Sequence, residues 1–427
     1  MQNIETTGER PQRTMALALR FQGDDQSRVQ ARLEELESLI STMGSEVVSS
    51  LIVPVRQENP ATLIGQGKAE ELKRLCEEQE IQCIVFDHDL SPRHQRNLEE
   101  ATGLCVIDRQ EVILQIFANR AMTREAVLQV GLARLQYSLP RLTRKWTNLS
   151  QQKGGVKGTK GEGETQLELD RRVVLHRIDQ LKQELAKVEE QRQIQRKSRR
   201  EGSLPIGAIV GYTNSGKSSL LKALAGADIL VEDKLFATLD PTTRKVKLSG
   251  GYEILLSDTV GFVSDLPHHL VDAFKSTLDE TKDADFLIIV CDASHPDMLA
   301  CYNTTIDVLR SLDCAEKPTI VMVNKMDACL EQFAVARLKS MVDGPFVETS
   351  VTNRQGLEDL EHAIEDVIHR LRPNGSYLIP NDRHDLVAWI RRNGTIESID
   401  YEEDGVHVVA RLSGRNEAYL STLIPKR

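Results

Sequence analysis

Apolar and polar positions divide this chain into regular segments. Met15–Leu19 is a short apolar run and reads as a strand. Val29, Leu33, Leu36 and Ile40 recur at helical spacing and predict a helix over Gln26–Met43. A strand over Val47–Val55 and a helix over Gly67–Glu80 follow, then the buried strands Ile84–Phe86 and Cys105–Ile107 around a helix at Arg93–Ala101. Strands alternating with helices imply a small parallel sheet flanked by helices. A helix over Thr123–Ser138 stops at Pro140. From Thr165 to Arg200 an apolar seam (Leu167, Leu169, Val174, Ile178, Leu181, Leu185, Val188) runs through Gln, Glu, Lys and Arg. At 1.5 Å per residue these roughly 35 residues make a rod of roughly 50 Å. Buried strands return at Ile206–Val210, Tyr252–Ser257, Phe286–Asp292 and Thr319–Asn324. The last module reads strand, helix (Asp385–Arg392), strand, strand (Val406–Leu412), helix, with turn signals at Asn393-Gly394 and Asp404-Gly405. The domain boundaries expected from this pattern are 1–140, 141–204, 205–372 and 373–427.

Composition changes this picture little. The 427 residues, 40% apolar and 28% charged, are those of a globular protein, and no apolar run is long enough to span a bilayer. The polar N-terminus lacks a signal-peptide pattern. Seven cysteines without Cys-x-x-Cys spacing suit reduced thiols in the cytoplasm, and Cys83, Cys105 and Cys291 read as small core residues. The net charge of −10 argues against nucleic acid until its distribution is considered. Between Arg141 and Gly161 stand Arg141, Arg144, Lys145, Lys153, Lys157 and Lys160 with no acid. Glycines deny the second half of that stretch regular structure.

The chemistry lies in the middle. Gly211-Tyr212-Thr213-Asn214-Ser215-Gly216-Lys217-Ser218 follows a strand and precedes a helix beginning near Ser219, the setting a phosphate-binding loop requires. Its amides and the helix N-terminus suit phosphates, Lys217 the β- and γ-phosphates, and the Ser218 hydroxyl Mg²⁺. Asp258-Thr259-Val260-Gly261 ends a strand: Asp258 suits Mg²⁺ through water, and Gly261 lets an amide approach the γ-phosphate. Asn324-Lys325-Met326-Asp327 ends another strand, and the Asp327 carboxylate can accept from guanine N1–H and N2. Adenine presents an acceptor there instead. Ser350-Val351-Thr352 matches the remaining base-contact loop, with valine where alanine is usual. Phe236-Ala237-Thr238-Leu239-Asp240 lies between the phosphate loop and Asp258. Thr238 is the expected second Mg²⁺ hydroxyl, with Thr242 and Thr243 as alternatives. Lys217, Thr238 and Gly261 are the expected catalytic positions. Phe262 stands where many GTPases place a water-orienting glutamine, so intrinsic hydrolysis is expected to be slow.

With these motifs, Gly65-Gln66-Gly67-Lys68, Asp108–Ala118, Gly161–Glu168 and Phe236–Pro241, the chain resembles the HflX family of translation-associated GTPases. The resemblance implies an α/β fold. It implies a P-loop GTPase domain preceded by an N-terminal α/β domain with a long helical segment, a linker or hairpin within 141–204, and followed by a small α+β C-terminal domain. It implies GTP or GDP as ligand, ATP as a weaker one, and the 50S ribosomal subunit and its rRNA as partner, in splitting stalled or stress-arrested ribosomes. A monomer is expected. The acid-free stretch 141–161 as a whole suits rRNA phosphates; Tyr137 and Trp146 could stack on bases, but packing against neighbouring helices is the preferred reading for each singly. The alternatives are a nucleotide-driven RNA-remodelling enzyme, a ribosome-assembly GTPase and a scaffold GTPase with a protein partner.

Overall fold

The computed structural model describes residues 11–142, 162–200, 204–226, 235–236, 241–263, 280–412 and 414–424, with side chains of 162–167, 191–200 and 414–415 excepted. These described residues fall into two compact units, the first taking those up to Val188 with Leu235 and Phe236, the second all the others.

The first unit carries β1 (Arg13–Phe21), α1 (Gln26–Met43), β2 (Glu46–Val55), α2 (Gln66–Glu78), β3 (Cys83–Phe86), α3 (Pro92–Thr102), β4 (Cys105–Asp108), α4 (Arg109–Arg120) and α5 (Arg124–Ser138). Its sheet runs β2-β1-β3-β4, every pair parallel. Helix starts are set by side chains that satisfy otherwise unbonded amides: Asp25 accepts from Ser27, Ser91 from His94, Asp108 from Glu111 and Thr123 from Ala126. Met15, Leu17, Leu19, Ile84, Phe86 and Val106 pack on one face against Ala69, Leu72 and Cys76 of α2 and Leu98 of α3. α6 (Glu162–Arg200) realises the predicted rod, and its Ile178 and Leu181 are buried.

α4 and α5 occupy a stretch where only α5 is legible from spacing. Val112, Ile113, Leu114, Ile116 and Phe117 are all buried, so α4 is apolar on several faces and lacks a one-sided stripe. Asp108 is fully buried at its N-terminus and accepts from Leu90 N (3.1 Å), Glu111 N (3.0 Å), Tyr137 Oη (2.8 Å) and an Arg141 guanidinium nitrogen (3.2 Å). The Arg141 guanidinium lies 3.5 Å from the centre of the Tyr137 ring. Burial pushes the Asp108 carboxyl up, and the Arg141 charge opposes it. Tyr137 is packed, as its preferred reading has it, and Arg141 is held by protein groups. Arg141, expected at a phosphate, is engaged inside the protein. Tyr137, a stacking candidate, is 7% exposed. The other five cations of the basic stretch, and Trp146, lie outside the described residues.

The second unit holds β5 (Ile206–Gly211), α7 (Lys217–Ala225), β6 (Thr242–Lys247), β7 (Glu253–Asp258), β8 (Phe286–Asp292), α8 (Met298–Ser311), β9 (Thr319–Asn324), α9 (Gln332–Met341), β10 (Phe346–Glu348) and α10 (Leu357–Leu371). The sheet order is β10-β9-β8-β5-β7-β6, parallel except for the edge strand β6. One core joins the sheet to α8 and α9, the other to α7 and α10. The unit closes with β11 (Asn374–Ile379), α11 (His384–Asn393), β12 (Gly394–Glu402), β13 (Gly405–Leu412) and α12 (Gly414–Leu423), an antiparallel sheet β11-β13-β12 over a small core. Asn393-Gly394 passes straight from helix into strand, whereas Asp404-Gly405 does make the β12–β13 turn.

Candidate nucleotide site

The loops that follow β5, β7, β8, β9 and β10 all leave the carboxyl ends of parallel strands, the edge at which open α/β sheets bind ligands. After β5 the chain turns through Asn214 (φ 58°) and Gly216 (φ 98°) into α7. A Cβ at Gly216 would stand 2.3 Å from Asn324 Nδ2, so this position tolerates only glycine. Asn324, 3% exposed, is the link between two loops. Its Nδ2 donates to Ser215 O (3.0 Å) and its Oδ1 accepts from Val351 N (3.1 Å). The phosphate loop and the Ser350 loop are thereby held in one register. The Met326 amide adds a bond to Thr349 O (3.1 Å).

Lys217 is buried, with Nζ donating to Tyr212 O (2.6 Å) and Gly211 O (3.2 Å). Burial pulls its pKa down to about 8, against the opposing charge of Asp258. The Thr213 and Ser215 hydroxyl oxygens are buried without a hydrogen-bond partner. Ser218 Oγ donates to Asp258 Oδ2 at 2.6 Å. A hydroxyl and a carboxylate, hard oxygen donors at such separation beside a buried lysine, fit a Mg²⁺ ion bound with phosphates. A Cβ at Gly261 would meet Thr213 Cα at 2.7 Å and Lys217 Nζ at 2.9 Å, so glycine is required for the close approach.

The structure brings Gly211–Ser219, Asp258–Gly261, Asn324–Asp327 and Ser350–Thr352 to the same sheet edge. Asp327 is exposed just past β9, and Lys325 (φ 59°) is held by an ion pair with Asp292 at 2.7 Å. Asp292, at the end of β8, was not among the candidate residues; its only signal in sequence is a carboxylate closing an apolar run. Other candidates stand elsewhere. Phe236 (φ 55°) packs its ring edge-on against Phe117 in the first unit, centroids 4.6 Å apart. Ala237–Asp240, with Thr238, lie outside the described residues. Thr242 and Thr243 begin β6, where Thr243 Oγ1 shares a hydrogen bond with Ser257 Oγ (2.8 Å). Phe262 is 2% exposed and belongs to the core beneath α8, while its backbone bonds with Gly211 O and Thr213 N bind the loops together.

Three family models match in chain order. Residues 30–118 match the GTP-binding GTPase N-terminal family, 120–199 the GTP-binding GTPase middle region and 207–325 the 50S ribosome-binding GTPase family. A GTPase HflX from Treponema denticola is 55% identical over 342 residues, covering 78% of this chain and 87% of that protein. Another from Akkermansia muciniphila is 44% identical over 422 residues, covering 96% and 97%. Among solved structures, the SsGBP and GDP complex aligns with 84% of this chain and 99% of its own at 27% identity and a TM-score of 0.49. With relatives this similar over nearly its whole length, and nucleotide loops that converge on one sheet edge, the chain belongs to the HflX family of GTPases.

Proposed function

We propose that this protein is a GTP-hydrolysing switch that binds the 50S ribosomal subunit through its N-terminal part and rRNA, and splits stalled or stress-arrested ribosomes in the cytoplasm. The observation that carries the nucleotide part is Asn324, whose side chain ties the phosphate loop to the Ser350 loop beside the Asp327 carboxylate. A base bound at Asp327 and phosphates bound at Lys217 are then read by one rigid frame. The ribosomal part is supported by the match of residues 207–325 to a family described as 50S ribosome-binding GTPases, and by the acid-free stretch after Arg141.

Roles follow from the groups. Lys217 and the loop amides hold the β- and γ-phosphates. Ser218, Thr238 and, through water, Asp258 would hold Mg²⁺, which when bound neutralises phosphate charge. Gly261 admits its amide to the γ-phosphate. Phe262 is in the core and orients no water, so the attacking water waits for a group that the ribosome brings into place. Pelleting through sucrose with 50S subunits tests the reading. Co-sedimentation with a non-hydrolysable GTP analogue and release with GDP are expected, as is conversion of 70S particles to subunits on a gradient. Failure to pellet with either nucleotide overturns the ribosomal part, and duplex unwinding without ribosome binding would favour an RNA-remodelling enzyme.

A further inference from the structure

Cys83 and Cys105 open the adjacent parallel strands β3 and β4 and are direct register partners. The alternation along both strands turns Ile84 and Val106 into the core against α2 and α3, so the two cysteines point together to the opposite face. Neighbouring strands lie about 4.8 Å apart. That falls within the roughly 4.4–6.8 Å between Cα atoms that a disulfide spans. Their environments differ: Cys83 is 1% exposed, whereas Cys105 is exposed to solvent. The remaining cysteines are buried or half-buried, and Cys76 faces the other side of the sheet.

We propose that Cys83 and Cys105 form a peroxide-reactive dithiol that closes reversibly to a cross-strand disulfide. Cys105 is the attacking sulfur and Cys83 the resolving one. The Cys105 thiolate attacks one peroxide oxygen: an S–O bond forms, the O–O bond breaks, and hydroxide leaves and is protonated to water. Sulfur is oxidised to the sulfenic acid and peroxide is reduced. The Cys83 sulfur then attacks the Cys105 sulfur, an S–S bond forms, the S–O bond breaks, and the Cys83 proton leaves with the hydroxyl as a second water. Two thiols and one peroxide give one disulfide and two waters. Ionisation agrees with this division of labour. Hydrogen bonding with Cys83 draws the Cys105 thiol below its ordinary value against the effect of burial, and the same interaction with burial pushes Cys83 far up. Burial of Cys83 leaves the neighbouring sulfur as the near reaction partner of the sulfenic acid.

The test is treatment of the full-length protein with hydrogen peroxide, followed by intact mass and non-reducing peptide mapping. The wild type should lose two hydrogen atoms, yield a peptide linked through Cys83 and Cys105, and return to the thiol form with dithiothreitol. In Cys83→Ser the link should be absent and dimedone should be captured at Cys105. A wild-type protein that keeps a dimedone-reactive Cys105 without the link, or links other cysteines instead, overturns the proposal. The wild-type peptide map does not depend on how well the variant folds.

Discussion

In the proposed complex, Asp327 and Lys217 answer different questions at the two ends of one ligand. Asp327 accepts two hydrogen bonds from guanine in the proposed complex, and bonds to a charged group contribute about 1.5–3 kcal/mol each. Asp327→Asn should therefore weaken GTP binding by about 10²–10⁴-fold and improve xanthosine triphosphate, whose C2 oxygen needs a donor. Fluorescent-nucleotide titration measures both, and unchanged GTP affinity would remove Asp327 from base reading. Lys217 makes a pH-dependent prediction. Its pKa in the nucleotide-free protein is lowered to about 8 from 10.5. Phosphates beside the ammonium raise it again, so binding above pH 8 should draw in a proton from solvent. Calorimetry at pH 9 in buffers of different ionisation enthalpy should show that uptake in wild type and not in Lys217→Ala. The same group lowers stability where it is charged, so the nucleotide-free protein gains stability as pH rises from about 8 towards the unfolded value of 10.5. Phe262→Gln removes a ring from the core and buries an amide. It should cost about 3–5 kcal/mol of stability without raising GTP turnover, as melting and single-turnover assays would show.

At the scale of elements, the end of β4, the start of α4 and the end of α5 meet at Asp108. Replacing Arg141 by Gln leaves a buried carboxylate without its cation, a change that costs about 3–5 kcal/mol in other proteins. A lowered melting temperature with the salt dependence of ribosome binding retained is the expected outcome. A lost unit of salt slope at unchanged stability would instead return Arg141 to the RNA. Helix α4 explains why this junction is hard to read from sequence. Its apolar residues surround it, so spacing shows no face, and the Asp108 carboxylate is first a helix cap and only through folding an ion-pair partner.

For the whole molecule, the −10 chain carries a basic, acid-free stretch at 141–161, and in the proposed complex that contrast governs its binding to ribosomes. With Arg141 engaged internally, Arg144, Lys145, Lys153 and Lys157 are the cations to neutralise. Changing these four to Gln should weaken 50S binding and flatten the log–log salt slope by up to about three units. On that proposal the four cations face phosphates and not the rest of the chain, so melting and GTP affinity should stay near wild type. Lost stability with retained ribosome affinity would mean that the stretch folds onto acidic faces of the chain. Single-turnover hydrolysis should also accelerate when 50S subunits are added, and equal rates would show that the activator is something else.

The nucleotide loops were legible because each is contiguous. A buried apolar run fixes the strand, and its next few residues carry the chemistry, so Gly211–Ser218, Asp258–Gly261 and Asn324–Asp327 need no long-range information to be recognised. Most helices and strands of the first unit were legible for a similar reason, since apolar spacing reports a single buried face. Contacts between distant segments were not. That Asn324 bridges residues 215 and 351, that Asp292 holds Lys325, that Thr243 meets Ser257 across an antiparallel edge, and that Phe262 turns into the core are consequences of the strand order β10-β9-β8-β5-β7-β6. Charge alone placed Arg141 with RNA and aromaticity offered Tyr137 for stacking. Both were claimed by a buried carboxylate, because removing Asp108 from water makes its nearby donors more valuable inside the fold than outside it. Composition and spacing thus determined which chemistry the chain carries. The pairing of strands and the desolvation of polar groups decided which side chains remain available to perform it.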